Sequence, residues 1–120
     1  MKPGRILTTT LPALGLLAST MAWASPPPTS GDAQAGSAVY HQTCVACHGE
    51  NGKGQIPGTP DFTKSGGVLS LPTKVLQDRI VHGFQSNGSP MAMPPNGGNP
   101  TLTPKDVDNV IAYLRKTFGH

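Results

Sequence analysis

The clearest pattern of apolar and polar positions lies at the C-terminal end of the chain. Apolar residues recur there three or four positions apart, as on one face of a helix: Val107, Val110, Ile111, Leu114 and Phe118. Thr103 suits the N-cap of such a helix and Pro104 its first position, while Gly119 suits the stop that follows. The sequence therefore predicts a helix over residues 104–118.

Two shorter patterns predict two further helices, over about 32–44 and about 72–82. Asp32 suits the N-cap of the first. The apolar positions are Ala35, Val39 and Tyr40 in the first helix and Val75, Leu76 and Ile80 in the second. Asp78 and Arg79 are expected to face outward. The chain is thus predicted to hold three helices joined by two long loops.

The first 24 residues have the organisation of a secretory signal peptide. Lys2 and Arg5 are basic, residues 6–18 are mostly apolar, and residues 22–24 read Ala-Trp-Ala, a cleavage signal. The apolar stretch is too short and too interrupted for a good membrane span, and an uncleaved anchor is the alternative. The predicted parts are a signal peptide over 1–24, a Pro-rich spacer over 25–30 and one domain over 31–120. Export places that domain in the periplasm.

Residues 44–48 read Cys-Val-Ala-Cys-His and form the most specific motif of the chain. Thiols at this spacing can add to the two vinyl groups of a haem, and His48 can then bind the iron from the same side. A zinc site would need four ligands, and a thioredoxin-type thiol pair would need a βαβ setting; these are the alternatives. The motif predicts one haem c attached through Cys44 and Cys47.

Composition and charge agree with a bound haem and with no nucleic-acid partner. The chain holds 15 Gly and 13 Pro in 120 residues. A small domain of this kind usually needs a cross-link or a bound group to stabilise it. A tethered haem gives its loops an apolar surface on which to pack. The formal net charge is +3, but cleavage would remove Lys2 and Arg5 and leave +1, so no basic stripe for nucleic acid is present.

The second axial ligand of the iron decides between electron transfer and chemistry on a bound ligand. Once the signal peptide is removed, only Met91 and Met93 remain as methionines, both in a proline-rich loop over 88–95. Met93 directly precedes two prolines, which stiffen the loop and favour an extended backbone, so it is the preferred ligand. Met91, His82 or the absence of a protein ligand are the alternatives.

Two further expectations concern the surroundings of the haem. The second ring nitrogen of His48 should donate to a backbone carbonyl, with Pro60 the best candidate and Pro57 the next. Three lysines could surround the haem edge and steer an acidic partner, although a merely solvated surface is the alternative. These lysines are Lys53, Lys64 and Lys74.

Residues 31–119 resemble a small class I c-type cytochrome. The resemblance rests on Gly36 and Tyr40, the Cys44–Gly49 run, Gly52, Gly54, Pro60-Asp61-Phe62, Met93-Pro94-Pro95, Val110, Tyr113 and Leu114. It implies an all-α class I cytochrome c fold, with three main helices and long loops wrapped around one covalent haem. It also implies that the first and last helices cross tightly, with Gly36 and Tyr40 at the crossing.

The expected function follows from the coordination of the iron. With His48 and Met93 both bound, the iron has no open site and can only cycle between its ferric and ferrous states. We therefore expect a monomeric periplasmic electron-transfer protein that meets redox partner proteins and is not an enzyme. The alternatives are a haem c subunit of a larger periplasmic dehydrogenase or oxidase, a catalytic or gas-sensing haem, and a Cu(I) site at Met91 and Met93.

Overall fold

The computed structural model describes Gly4 and residues 31–120. The predicted spacer and, apart from Gly4, the predicted signal peptide lie outside the described residues. The α-helices are α1 over Ala33–Val39, α2 over Val45–His48, α3 over Thr73–His82 and α4 over Pro104–Phe118. A π-helical segment over Tyr40–Cys44 joins α1 to α2, and 3₁₀ turns cover Val68–Ser70 and Pro95–Gly98.

The all-α class predicted from the sequence is confirmed. Within residues 31–120 the only β-type pairing is one isolated antiparallel bridge between Phe84 and Met93. The three predicted helices correspond to the run from α1 to α2, to α3 and to α4. In this described part of the chain, no helix is long and apolar enough to cross a membrane.

The first helical run is longer than predicted. It was expected to end near residue 44, but it continues through the π-helical segment and α2 to His48, where Gly49 adopts a positive φ of 79°. A π-helical turn holds more residues than an α-helical turn, so it rotates the side chains that follow it relative to α1. The whole Cys-Val-Ala-Cys-His motif therefore lies on helical backbone.

The start of α4 is fixed by a capping box between Thr103 and Asp106. The Thr103 hydroxyl accepts a hydrogen bond from the Asp106 backbone N–H at 3.2 Å, and the Asp106 carboxylate accepts one from the Thr103 N–H at 2.9 Å. The bonds that Thr103 donates hold the pKa of Asp106 below its usual value. These bonds satisfy backbone donors that the first helical turn leaves free.

Helices α1 and α4 cross at very short range, as the resemblance implied. A Cβ added to Gly36 would overlap the Asn109 carbonyl and lie 2.9 Å from Cβ of Tyr113. The ring of Tyr40 is fully buried there, 5.3 Å from that of Tyr113 between centroids. The Asp32 N–H donates to the Asn109 side chain at 2.7 Å, which ties the start of α1 to the middle of α4.

The core joins this crossing to α3 and the long loop before it. Its buried apolar residues are Val39, Tyr40, Phe62, Leu69, Leu76, Val107, Val110, Ile111, Leu114 and Phe118. Half of them come from α4, more than from any other element. The loops contribute only Phe62 and the 3₁₀ residue Leu69, so most of the loop chain depends on other contacts for its position.

Arg115 supplies the main polar contact between α4 and one of these loops. Its guanidinium donates to the Leu71 carbonyl and the Thr73 hydroxyl at 2.7 Å each, and its Nε donates to the Leu69 carbonyl at 3.4 Å. The segment over 69–73 leads into α3, so Arg115 sets the position of that helix relative to α4.

We expect Arg115→Ala to lower the free energy of unfolding by about 2–3 kcal/mol, because hydrogen bonds from a charged donor are among the stronger ones. Lys116→Ala, at an exposed neighbouring position, is the control and should stay within about 0.5 kcal/mol of the wild type. Denaturant unfolding of the haem-loaded protein measures both. Equal stability of the two variants would contradict the role given to Arg115.

Candidate functional site

One cavity of about 380 Å³ brings together the four predicted site residues Cys44, Cys47, His48 and Met93. Its wall is mainly apolar, and its volume lies in the range of cofactor sites. The residues that line it beside these four include Tyr40, Ile56, Phe62, Val68, Leu69, Leu76, Ile80, Phe84, Met91, Leu102 and Leu114. The cavity is therefore a space within the core that side chains of this chain only partly fill.

The two cysteines lie one helical turn apart where the π-helical segment meets α2. Both thiols are free, with Cys44 partly buried and Cys47 exposed. Burial raises the pKa of Cys44 to about 11. A thiol redox pair of the thioredoxin type works through a lowered pKa, so this environment does not suit it. Among the described residues no group of three or more His, Cys, Asp or Glu could hold a metal ion, which leaves the zinc alternative without ligands.

His48 ends α2 and lies on the wall of the cavity. Its side chain is buried, and burial lowers the pKa of the imidazole to about 4. The ring is therefore neutral at physiological pH, which is the form that binds metal ions. The backbone around it is held by hydrogen bonds from Gly54 N–H to the His48 carbonyl and from Gln55 N–H to the Cys47 carbonyl, both 2.9 Å.

The predicted carbonyl partner of His48 is absent. In the described chain, Nδ1 of His48 is buried and has no hydrogen-bond partner, so the expectation for Pro60 or Pro57 was wrong. The loop contacts the imidazole through an aromatic ring. The ring of Phe62 lies flat on that of His48, with 4.5 Å between centroids and 9° between planes.

Met93 is held by its backbone on the cavity wall. Its N–H donates to the Phe84 carbonyl at 2.9 Å, and the Phe84 N–H donates to the Met93 carbonyl at 3.1 Å. Met91 lines the same cavity, but its side chain is 57% exposed, whereas that of Met93 is partly buried. The pairing with Phe84 is a restraint on Met93 that the proline argument did not foresee.

The charged residues around the cavity differ from the prediction. Arg79 was expected to face outward, but it lines the cavity, with its guanidinium carbon 3.8 Å from the centroid of the Phe84 ring. This cation–π contact and its aliphatic stem allow the side chain to pack along an apolar wall. Lys53, Lys64 and Lys74 are absent from the cavity lining, as is His82, which is exposed and hydrogen-bonded to Asp78.

Comparison with known proteins decides the family. Residues 31–114 match the sequence profile of the family described as cytochrome C oxidase, cbb3-type, subunit III. The chain belongs to the class I c-type cytochromes. The predicted resemblance is thereby confirmed, and the match covers the whole helical domain up to Leu114 in α4.

The relatives differ in how much of their own length this chain covers. It is 32% identical over 83 residues to cytochrome c-555 of Chlorobaculum thiosulfatiphilum. This match covers 69% of this chain and 93% of the relative. It is 32% identical over 89 residues to cytochrome c-554(547) of Halothiobacillus neapolitanus; this match covers 71% of this chain and 96% of the relative. It is also 31% identical over 90 residues to lupanine 17-hydroxylase [cytochrome c] of a Pseudomonas species, covering 74% of this chain but 12% of that protein.

Covalent haem c is the cofactor of this family, and the cavity of this cytochrome fits it. Two free thiols at the required spacing border an apolar cavity, together with the neutral imidazole of His48. A thioether on a restrained loop borders it as well. Sequence reasoning did not place Phe62 or Arg79 on the wall, because Phe62 stacks on His48 from a separate loop and Arg79 packs on Phe84 beyond the end of α3.

Proposed function

We propose that this cytochrome is a periplasmic electron carrier. Its single haem c is attached through Cys44 and Cys47 and ligated by His48 and Met93. The observation that carries the proposal is that these four side chains, from two segments more than 40 residues apart, border one apolar cavity. The small relatives that match over most of their length, cytochromes c-555 and c-554(547), support the same assignment.

Each residue of the proposed site has a distinct role. When bound, the haem iron supplies one-electron chemistry between its ferric and ferrous states. Cys44 and Cys47 hold the porphyrin through thioether bonds. His48 binds as a neutral imidazole and Met93 as a thioether, and the apolar wall excludes water. Two protein ligands leave no position for a substrate, so the protein transfers electrons and is not an enzyme.

Location and boundaries form part of the proposal. Residues 1–24 have the pattern of a signal peptide and residues 25–30 that of a spacer, so the exported domain would span 31–120. Electrons would enter and leave in brief encounters with redox partner proteins, since electron-transfer contacts are small and weak. Such encounters need no permanent partner, and we propose a monomer.

Optical spectra of the full chain, exported and loaded with haem, test the proposal. We expect the alkaline pyridine spectrum of a haem with both vinyl groups saturated, a low-spin reduced spectrum, and a one-electron potentiometric titration. Because both axial positions are filled, carbon monoxide should not change the reduced spectrum at neutral pH. A colourless exported protein, or rapid carbon monoxide binding, would overturn the carrier function.

A second candidate is a haem c subunit of a larger periplasmic dehydrogenase or oxidase. Two observations favour it: the matching family is described as an oxidase subunit, and one relative is a hydroxylase in which this sequence corresponds to 12% of the length. The spectra above are the same for both candidates. Gel filtration of a membrane-free extract distinguishes them: the carrier elutes at its own mass, whereas the subunit co-elutes with a larger enzyme.

A further inference from the structure

We propose that the hydrogen bond between Thr43 and Asn99 positions the thioether of Met93 on the haem iron. The inference rests on the proposed function, because it requires Met93 to bind the iron. Nδ2 of Asn99 donates to the Thr43 hydroxyl at 3.1 Å, across 56 positions of the chain. Thr43 directly precedes Cys44, and Asn99 follows the proline-rich loop of Met93. The bond therefore joins the segment that holds the porphyrin to the loop that supplies the second axial ligand.

This bond is the direct polar link between the cysteine segment and the loop of Met93. Within the described residues, no other hydrogen bond joins residues 40–48 to residues 84–103. The backbone pairing of Met93 with Phe84 restrains the loop relative to the end of α3. The bond to Thr43 restrains the same loop relative to the helical run that carries the cysteine motif. The two restraints therefore act on opposite sides of Met93.

Both partners of the bond are held in place by their own surroundings. Thr43 lies in the π-helical segment, whose first residue, Tyr40, is fully buried in the crossing of α1 and α4. Oδ1 of Asn99 accepts hydrogen bonds from the Thr101 N–H at 3.0 Å and the Thr101 hydroxyl at 2.7 Å, and the Asn99 N–H donates to the Asn96 carbonyl at 3.1 Å. Because the Thr101 N–H can only donate, it places the amide oxygen on its own side and the amide nitrogen towards Thr43.

The chain between Met93 and Asn99 is short and stiff. Two prolines follow Met93 directly and fix φ at their positions, and a 3₁₀ turn comes after them. The Gly97 N–H donates to the Pro94 carbonyl at 3.0 Å within this stretch. Gly97 also lies close to Thr43, since a Cβ added to the glycine would be 3.1 Å from Cγ2 of the threonine. A displacement at Asn99 is therefore passed on to Met93 and is not absorbed between the two residues.

The consequence is a restraint on loss of the thioether from the iron. An external ligand binds at this axial position only in the fraction of molecules whose thioether has left, so its apparent dissociation constant reports that fraction. Removal of the bond between Thr43 and Asn99 frees the loop and raises the fraction. From the usual net contribution of one hydrogen bond, the dissociation constant for imidazole, as the external ligand, should fall roughly two- to tenfold.

The test is titration of the full, haem-loaded chain with imidazole in the ferric state, followed by the charge-transfer band of iron bound to sulfur. We expect Thr43→Val, which keeps a methyl group against Gly97 but loses the hydroxyl, to lower the dissociation constant by this factor. Thr43→Ser, which keeps the hydroxyl but loses the methyl group, should match the wild type. Thr117→Val makes the same change at an exposed position of α4 and should also match the wild type.

Two further comparisons separate a positioning role from a merely structural one. In a Met93→Ala background no thioether remains to be displaced, so Thr43→Val should leave the affinity for imidazole unchanged there. Asn99→Ala removes the other partner of the bond and should also lower the dissociation constant. The two changes together should have no more effect than Asn99→Ala alone, because both remove one and the same interaction.

The outcomes distinguish this inference from the proposed function. The inference is wrong if Thr43→Val binds imidazole as the wild type does, if Thr43→Ser shares its effect, or if the effect persists in the Met93→Ala background. A wild-type ferric protein without the charge-transfer band of sulfur-bound iron would contradict the proposed ligation itself, and the inference with it. Should Thr43→Val accumulate too little haem protein, Asn99→Ala is measured against the same criteria.

Discussion

Met93→Ala is expected to lower the reduction potential of the haem and to open the iron to external ligands. Methionine ligation raises the potential, and axial ligation controls a range of about 0.8 V, so loss of the thioether should have the largest functional effect of any substitution in the loop. The thioether bonds and His48 are untouched by the change, so the variant should still carry haem. Potentiometric titration and carbon monoxide binding to the reduced protein measure the two effects.

Met91→Ala is the matched control for this experiment. It removes a thioether from the same loop and the same cavity, but from an exposed position that lacks the backbone pairing Met93 makes with Phe84. We expect its reduction potential to match that of the wild type, and we expect its reduced form not to bind carbon monoxide. If Met91→Ala shows the drop in potential and Met93→Ala does not, the ligand assignment is reversed.

Gly36→Ala is expected to lower the free energy of unfolding by about 3 kcal/mol, at the upper end of the cost of overpacking. The added Cβ would overlap the backbone carbonyl of Asn109, which cannot move aside as a flexible side chain would. The helices α1 and α4 must separate to admit it, and the buried ring of Tyr40 lies in the same crossing. Denaturant unfolding of the haem-loaded protein gives the difference.

The direction of the Gly36→Ala effect is informative, because alanine favours an isolated helix over glycine by about 1 kcal/mol. A loss of stability must therefore come from the crossing and not from helix propensity. Gln34→Ala, at an exposed position of α1, is the control and should change stability by no more than about 0.5 kcal/mol. A Gly36→Ala protein as stable as the wild type would show that the crossing can open without cost.

The parts of the fold governed by local signals could be predicted from the sequence. Helix α4 begins and ends as its cap residues and apolar spacing indicate, because those signals act within a few residues. The first helical run was predicted to end too early. The apolar positions that define this helix stop at Tyr40, whereas the backbone stays helical up to Gly49, where φ becomes positive.

The same distinction between local signals and tertiary packing holds for the candidate site. The cysteine motif and Met93 could be identified as candidate site residues because neighbouring residues define them. The motif has a fixed spacing, and two prolines follow Met93. Arg79 and Phe62 could not be placed from their neighbours: Phe62 stacks on His48 from a separate loop, and Arg79 packs on Phe84, which lies beyond the end of α3. Helical spacing placed Arg79 outward, and only the aromatic ring of Phe84 accounts for its place on the cavity wall.

The crossing of α1 and α4 has a topological consequence. It joins the two ends of the domain, since the Asp32 N–H reaches the Asn109 side chain across 77 positions, and the cysteine motif and Met93 lie between them in the chain. An opening of this crossing would loosen the part of the core that borders the cavity, to which Tyr40 and Leu114 belong. Because haem c is bonded to the chain, such an opening cannot release it, so the protein can reclose around the same prosthetic group.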